Sequence, residues 1–365
     1  MNRIAAASAA LLATTALAQA GGVERSGQSM GILFETGTYV ELGYSYVDPS
    51  VSGTAGGGAV SSGDMAASYS QIELRYHQKI SEQLSFALIV DSPIGADVDD
   101  PTSTGYPFAG ANGTIDSQAV NALVRYQTGG GVSVYGGLRG VTAKGNVSLP
   151  TYGLTADGST ELGYTIGAAY EIPDIALRVS LTYQSATTHD FAGSETYLVP
   201  ALGTLPTEFA VTIPKSWTLE AQTGVAPGTL VFGSARWVDW TEFRIQGDNG
   251  LAPSPVLVDY DKDTITYSLG VARRLNDSLA LLGSVGYEAK SGGFSGNLGP
   301  TDGRTSFGLA ARYDNGPWRI LAGVNYSMVG DAQTEAPAPA PAGTLLGTFT
   351  DNSALGFGIR VGYSF

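Results

Sequence analysis

The chain has no cysteine, and only 14% of its 365 residues are charged. Without cysteine there is no disulfide framework, no thiolate nucleophile and no thiolate metal site. Histidine is nearly missing as well. His77 follows ELRY on an expected strand and His189 falls in an expected loop, neither with a serine partner that would make a hydrolytic pair. No enzyme is expected, and no metal or other cofactor; the paired aspartates of VDDP at 98–101 read as a solvated loop. Basic residues are outnumbered, giving a formal net charge of −14. Nucleic acid is therefore not an expected partner.

Long apolar runs are also lacking. Beyond residue 20 no stretch reaches the roughly 18 consecutive apolar residues that mark a membrane-spanning helix. A closed β-barrel escapes that criterion, because its strands satisfy one another's backbone groups and need apolar residues only at alternate positions. The first 20 residues, MNRIAAASAALLATTALAQA, pair one arginine with an apolar run and small residues at Ala18 and Ala20. They read as a secretory signal peptide cut after Ala20.

What the chain does have is 50 glycines, 19 tyrosines and period-two alternation. In NGPWRILAGVNYSMVG, Trp318, Ile320, Ala322, Val324, Tyr326 and Met328 oppose Arg319, Leu321, Gly323, Asn325 and Ser327. The terminal GFGIRVGYSF sets Phe357, Ile359, Val361, Tyr363 and Phe365 against Gly358, Arg360, Gly362 and Ser364. DIALRVSLTY and LNDSLALLGSVGYEAK alternate in the same way. Ten weaker segments, near 38–47, 67–79, 82–91, 117–128, 131–144, 159–172, 209–222, 227–247, 262–274 and 302–313, bring the expectation to about 14 strands.

Connections alternate in length. Short turns fall at 78–83, 128–131, 172–175, 224–229, 274–278 and 314–317, and long connections near 92–116, 145–158, 188–208, 248–261, 290–301 and 331–350. Outer-membrane barrels have short periplasmic turns and long external loops. The expected fold is thus all-β, a transmembrane antiparallel barrel over 38–365 in the bacterial outer membrane, with its apolar faces toward membrane lipid. The proline-rich QTEAPAPAPAGT at 333–344 suits a loop tip, since proline cannot donate to a ladder. Residues 21–37 make no convincing strand and read as a loose tail or a small hatch in the lumen.

Over nearly all of the remaining chain the sequence resembles the outer-membrane long-chain fatty acid transporter family, which includes aromatic-hydrocarbon uptake proteins. The resemblance is carried by AGGVERSGQSMGILFETGTYVELGYSYVDPSVSG, by LSFALIVDSPIGADVDDP followed by Tyr106, by IPKSWTLEAQTGVAPGTLVFGSARWVDWTEF and by the terminal GFGIRVGYSF, which ends on an aromatic of the kind read by the barrel insertion machinery. It implies a 14-stranded barrel closed by an N-terminal hatch. Cargo would be caught in an apolar groove among external loops, pass to an inner site and leave sideways where a strand is irregular near the hatch. The family's common Asn-Pro-Ala hatch segment is replaced here by GILFETGTYVELGY.

The expected function is passive transport of hydrophobic compounds, with long-chain fatty acids as cargo. A polar-solute porin and an adhesive or structural barrel are the alternatives. Candidate ligand contacts are Ile32, Leu33 and Phe34 in the hatch, Tyr106 and Phe108 in the first long loop, and Phe191 and Tyr197 in the 188–208 loop. Arg25 is a candidate for a carboxylate head group. Glu73, Arg75, Arg139, Glu161, Arg178, Glu288, Arg312, Arg319 and Arg360 should face the lumen as ion pairs. The four tryptophans, Trp217, Trp237, Trp240 and Trp318, are expected at the membrane interfaces.

Overall fold

The computed structural model describes residues 22–198 and 202–365, so the expected signal peptide lies outside the described residues. Its main sheet is a closed antiparallel barrel of 14 strands. In chain order these are β1 (Thr38–Ser50), β2 (Tyr69–Lys79), β3 (Leu84–Asp91, resuming as Gly95–Asp99), β4 (Asn112–Gly129), β5 (Val132–Leu149), β6 (Tyr152–Ile172) and β7 (Leu177–Gln184, resuming as Thr187–Tyr197). There follow β8 (Thr204–Ile213, resuming as Ser216–Ala226), β9 (Thr229–Val238), β10 (Thr264–Arg274), β11 (Leu279–Glu288), β12 (Arg304–Asn315), β13 (Trp318–Val329) and β14 (Ser353–Ser364). Closure is made by β1 against β14, from Tyr39 opposite Ser364 to Ser50 opposite Ser353. The Phe365 N–H donates to the Thr38 carbonyl at 2.9 Å, so both ends of the barrel wall meet at the short-turn rim.

The alternation has the expected sense through the membrane band. Leu42, Ile72, Val124, Leu138, Leu162, Leu181, Leu219, Leu269, Leu309, Val324 and Phe357 are exposed on the outer face. Between them Glu73, Arg75, Arg139, Arg178, Glu288 and Arg360 are buried in the lumen. Aromatics mark the edges of the band. Trp318, Tyr363 and Phe365 meet edge to face in sequence at the short-turn rim, with ring centroids 4.8 and 4.9 Å apart, while Tyr164, Tyr183 and Trp217 form a second row at 5.9 and 4.9 Å. Trp240 departs from the interfacial expectation: it is 2% exposed and packs inside the barrel against Phe243 and Tyr260. The strand expected over 227–247 stops at Val238, where Trp240–Glu242 turns inward.

On one side the wall continues well beyond the band. β4, β5 and β6 run for 18, 18 and 21 residues, and β6 extends roughly 40 Å beyond Tyr164 at ~3.3 Å per residue. The stretches expected as long loops at 145–158 and 188–208 are therefore largely strand, and Phe191 and Tyr197 stand on β7. Their outer faces carry Thr188, Asp190, Thr155 and Lys144 in place of apolar residues, because water has replaced lipid. The alternation persists there, but its apolar partner has moved to the inner face.

Four strands switch faces at this level; in β6 the bulge at Asp157–Gly158 separates inward Leu154 and Ala156 from inward Gly163 and Thr165. In β7 the inward residues are Arg178, Ser180 and Thr182 below Ser185–Ala186, and Thr187, His189 and Phe191 above it. In β8 Pro214–Lys215 separates inward Val211 and Ile213 from inward Ser216, Thr218 and Glu220. In β3 the change falls at Ser92–Pro93, where proline has no N–H for the ladder. Each break inverts the period-two phase, which brings apolar side chains into the upper lumen.

A five-stranded sheet of external segments caps the barrel: Ser52–Ala55, Val60–Asp64, Phe294–Ser295, Ala332–Glu335 and Leu345–Phe349. The proline-rich segment lies between β13 and β14 as expected, but its first residues, Gln333–Glu335, join this sheet.

Candidate functional site: an apolar cavity above a closed lower lumen

Residues 22–37 run through the lumen and are held on all sides. The Ser26 hydroxyl donates to Asp91 at 2.8 Å, Ser29 to Glu220 at 2.6 Å, and Arg139 to the Gln28 side-chain oxygen at 2.9 Å. Glu24 pairs with Arg236 at 2.7 Å and Glu35 with Arg319 at 2.7 Å. The turn Gly31–Phe34 buries Ile32, Leu33 and Phe34 against Ala87, Ile89, Leu123, Tyr135 and Ala169. Phe34 lies between the guanidinium groups of Arg125 and Arg178, each 4.4 Å from its ring centre. Arg125 also pairs with Glu171 and donates to the Leu33 carbonyl at 3.2 Å. The three N-terminal residues expected to touch ligand thus form a plug against the wall and do not line the cavity described next.

Beside this plug the expected ion pairs form a network. Glu73 accepts from Arg75 at 3.0 Å and Arg360 at 3.3 Å, while Glu41 lies 4.0 Å from both and accepts from the Tyr39 hydroxyl at 3.0 Å. Charges this deep need partners, since an isolated buried ion costs several kcal/mol or more.

Above the plug the lumen changes character. Ile94, Ile115, Ala143, Val147, Leu154, Phe191, Phe209, Val211, Ile213, Phe243 and Ile245 converge on a void of about 50 Å³. Trp240 and Val23 belong to the same apolar cluster. Phe191 stacks between His189 and Phe209, at centroid distances of 5.9 and 5.6 Å. The two histidines have local partners: His189 Nε2 lies 3.1 Å from the Thr187 hydroxyl and His77 Nδ1 3.1 Å from the Gly37 carbonyl.

One wall of the cavity is loop 239–263, fastened by a buried carboxylate. Glu195 on β7 accepts hydrogen bonds from Tyr197 at 2.5 Å, Thr207 at 2.7 Å, Asn249 at 2.8 Å and Ser254 at 2.6 Å. Burial pushes its pKa up, but these four donors outweigh burial and hold it below the usual carboxylate value. Gly247 passes so close that a Cβ there would lie 2.2 Å from Glu195 Oε1. Tyr197 therefore serves this fastening, beside the cavity. Sequence reasoning missed Glu195 and Phe209, whose signal was available: Glu195 alternates inward on a segment read as loop, and Phe209 opens the strand expected over 209–222.

Tyr106 and Phe108 belong to the external cap, packed with Val51, Met65 and Phe349, away from the cavity. Close by, the Asp100 carboxyl is buried with neither oxygen hydrogen-bonded. Desolvation, reinforced by Asp99, pushes its pKa up to about 7.

The wall itself has a slit between β2 and β3. Their ladder runs from Lys79 opposite Ser85 to Leu74 opposite Val90 and then stops, resuming as a single bridge between Ala66 and Val98. The N-terminal segment fills the inner side of this gap: Arg25 N–H donates to the Pro93 carbonyl at 2.9 Å, and Gly95 N–H to the Val23 carbonyl at 2.8 Å. The Arg25 guanidinium lies 3.2 Å from the centre of the Tyr69 ring and pairs with Asp97 at 2.6 Å. Gly95 admits it, as a Cβ there would sit 2.9 Å from Arg25 Nε.

A family model described as outer membrane protein transport protein (OMPP1/FadL/TodX) matches residues 29–365. Among solved structures, a Pseudomonas aeruginosa FadL homologue is similar at 14% identity, with 92% of each chain covered and a TM-score of 0.79. The Pseudomonas putida toluene transporter TodX is similar at 15% identity over 92% of this chain and 91% of its own, TM-score 0.65. The Ralstonia pickettii toluene transporter TbuX is similar at 12% identity over 96% and 97%, TM-score 0.64. No curated protein matches the chain by sequence.

Proposed function

Because the chain belongs to the OMPP1/FadL/TodX family of outer membrane transport proteins, we propose that it carries uncharged hydrophobic molecules passively across the outer membrane, through the apolar upper cavity. The observation that carries this reading is the phase inversion in β3, β6, β7 and β8. It lines the water-exposed half of the lumen with aliphatic and aromatic side chains, an arrangement that stabilises an apolar ligand and serves no purpose in a polar pore.

The fatty-acid cargo expected from the resemblance gives way to a neutral hydrocarbon on the chemistry of the lining. Arg25, the candidate for a carboxylate, is engaged by Asp97 and Tyr69, and Arg139 by Gln28. Lys144, which borders the cavity, is exposed and lies 3.8 Å from Asp116. A carboxylate at Arg25 would need its pair with Asp97 broken. The toluene cargo named for two of the fold relatives accords with this choice.

Residues 22–37 act as the hatch. The network around Glu73 and Glu41, together with the Phe34 plug, closes the straight path to the periplasm. The remaining exit is sideways: withdrawal of residues 22–25 from β3 would open the slit between β2 and β3 toward lipid. Bacteria lacking their own transporter and expressing this chain are expected to take up labelled naphthalene saturably and labelled oleate much less. Equal uptake of both would restore the fatty-acid reading, and uptake of neither by well-folded barrel would refute transport of hydrocarbons.

A further inference from the structure

The upper half of β8 is paired on one edge only. Thr204–Ile213 pairs with β7 along ten positions, but β9 ends at Val238 and leaves the opposite edge to loop 239–263. The links across it are a hydrogen bond from Glu208 N–H to the Asp248 carbonyl at 3.3 Å and one from Asp248 N–H to Thr207 Oγ1 at 2.8 Å. On the outer side of this seam is a recess of about 540 Å³ bordered by Glu208, Phe209, Ala210, Arg244, Gln246 and Pro253. On the inner side is the apolar void, bordered by the same Phe209 and by Ile245.

The partition between recess and void is thus one aromatic ring and the two-residue strand Arg244–Ile245, which pairs only with Val258–Asp259 of its own loop. Elsewhere the walls are β4 to β7: β4–β5 and β5–β6 pair in long ladders, whereas β6 and β7 pair over Tyr152–Ala156 with Gly193–Tyr197 and again only from Thr165 opposite Gln184 downward. The void of about 50 Å³ is too small for an aromatic hydrocarbon; benzene occupies a cavity of about 150 Å³. Binding therefore requires a wall to yield, and this partition has no ladder joining it to β8. Glu195 anchors Asn249 and Ser254 behind it, so the loop stays attached while Phe209 and Ile245 part.

We propose that hydrophobic molecules enter from the side, through the seam between the free edge of β8 and loop 239–263, with the recess as vestibule and Phe209 as inner door. The acidic and basic groups at the mouth, Glu208, Asp248 and Arg244, keep an empty vestibule wetted, while the ring behind them offers the first apolar contact. This entrance rests on the transport reading but is testable without it.

Since the chain has no cysteine, Ala156→Cys on β6 places a single thiol on the cavity wall. Its alkylation by N-ethylmaleimide is measured with the purified barrel in phospholipid vesicles. Ala210→Trp with Ala252→Trp, both at the recess, is expected to slow labelling about tenfold, and Phe209→Ala to speed it about tenfold. Heat-shifted electrophoretic mobility checks that each variant is folded; should the tryptophan pair misfold, the Phe209→Ala arm decides alone. Unchanged rates in folded variants overturn the entrance, even if naphthalene uptake proceeds. Slowed labelling with no naphthalene uptake keeps the entrance and removes the transport reading.

Discussion

The lower and upper halves of one lumen solve opposite problems with the same backbone. In the membrane band the wall meets lipid, so alternation sends apolar residues out and leaves Glu41, Glu73, Arg75 and Arg360 to neutralise one another inside. Beyond the band the wall meets water, and alternation sends Thr188, Asp190 and Lys144 out while Phe191, Phe209 and Ile213 line the inside. The lesson is that lumen polarity follows the solvent on the far side of the strand. A strand can keep its register and change its lumen chemistry by composition, as β4 does from Asn121 to Ile115, or it can switch faces through a break, as β7 and β8 do.

The comparison is most severely tested in the lower half. Arg75→Ala leaves two buried carboxylates with less compensation, and a loss of about 3–5 kcal/mol is expected, read as a lower denaturant midpoint of the detergent-solubilised barrel. A loss below about 1 kcal/mol would mean that water enters this network freely. Phe34→Ala and Phe191→Ala separate plug from cavity. The first should raise ion leak in planar bilayers and leave naphthalene affinity unchanged; the second should weaken affinity about tenfold, or ~1.4 kcal/mol, without raising leak. Reversed outcomes would exchange their assigned roles.

A smaller effect is expected at the fastening. Glu195→Gln turns an amide N–H₂ toward hydroxyl and amide donors, costing about 1–3 kcal/mol locally. Protease cleavage within 246–254 should accelerate while the unfolding midpoint of the membrane band stays in place. Resistance equal to the parent chain would show that the loop is held by its apolar contacts alone. The smallest effect is in the cap. The Asp100 pKa is raised from an ordinary carboxylate value to about 7, so the folded cap binds its proton more tightly than the unfolded chain. Its contribution to cap stability is full below about pH 4 and is lost as pH rises through 7. Hydrogen exchange of residues 100–111 should quicken between pH 5 and 8, and Asp100→Asn should flatten that dependence.

The membrane band was legible in advance because lipid imposes one rule on every strand. Trp318 to Met328 and Leu355 to Phe365 display it without reference to any other part of the chain, and the six short turns fall where it is interrupted. Phe191, expected as a ligand contact in a loop, stands on a strand instead, since the segment around it no longer alternates against lipid. Trp240 misled for a related reason: tryptophan's preference for interfaces is an average, and here the end of β9 turns it inward.

By itself, then, the sequence determined the barrel and its strand count, because period-two alternation is a local response to a uniform solvent. Only the tertiary structure decided which side chains share the lumen. Arg25 meets Tyr69 and Asp97, Phe34 meets Arg125 and Arg178, and Glu195 meets Asn249 and Ser254 across separations that no local pattern encodes. Such pairings depend on barrel closure and on the four phase breaks, each of which turns every residue beyond it to the opposite face.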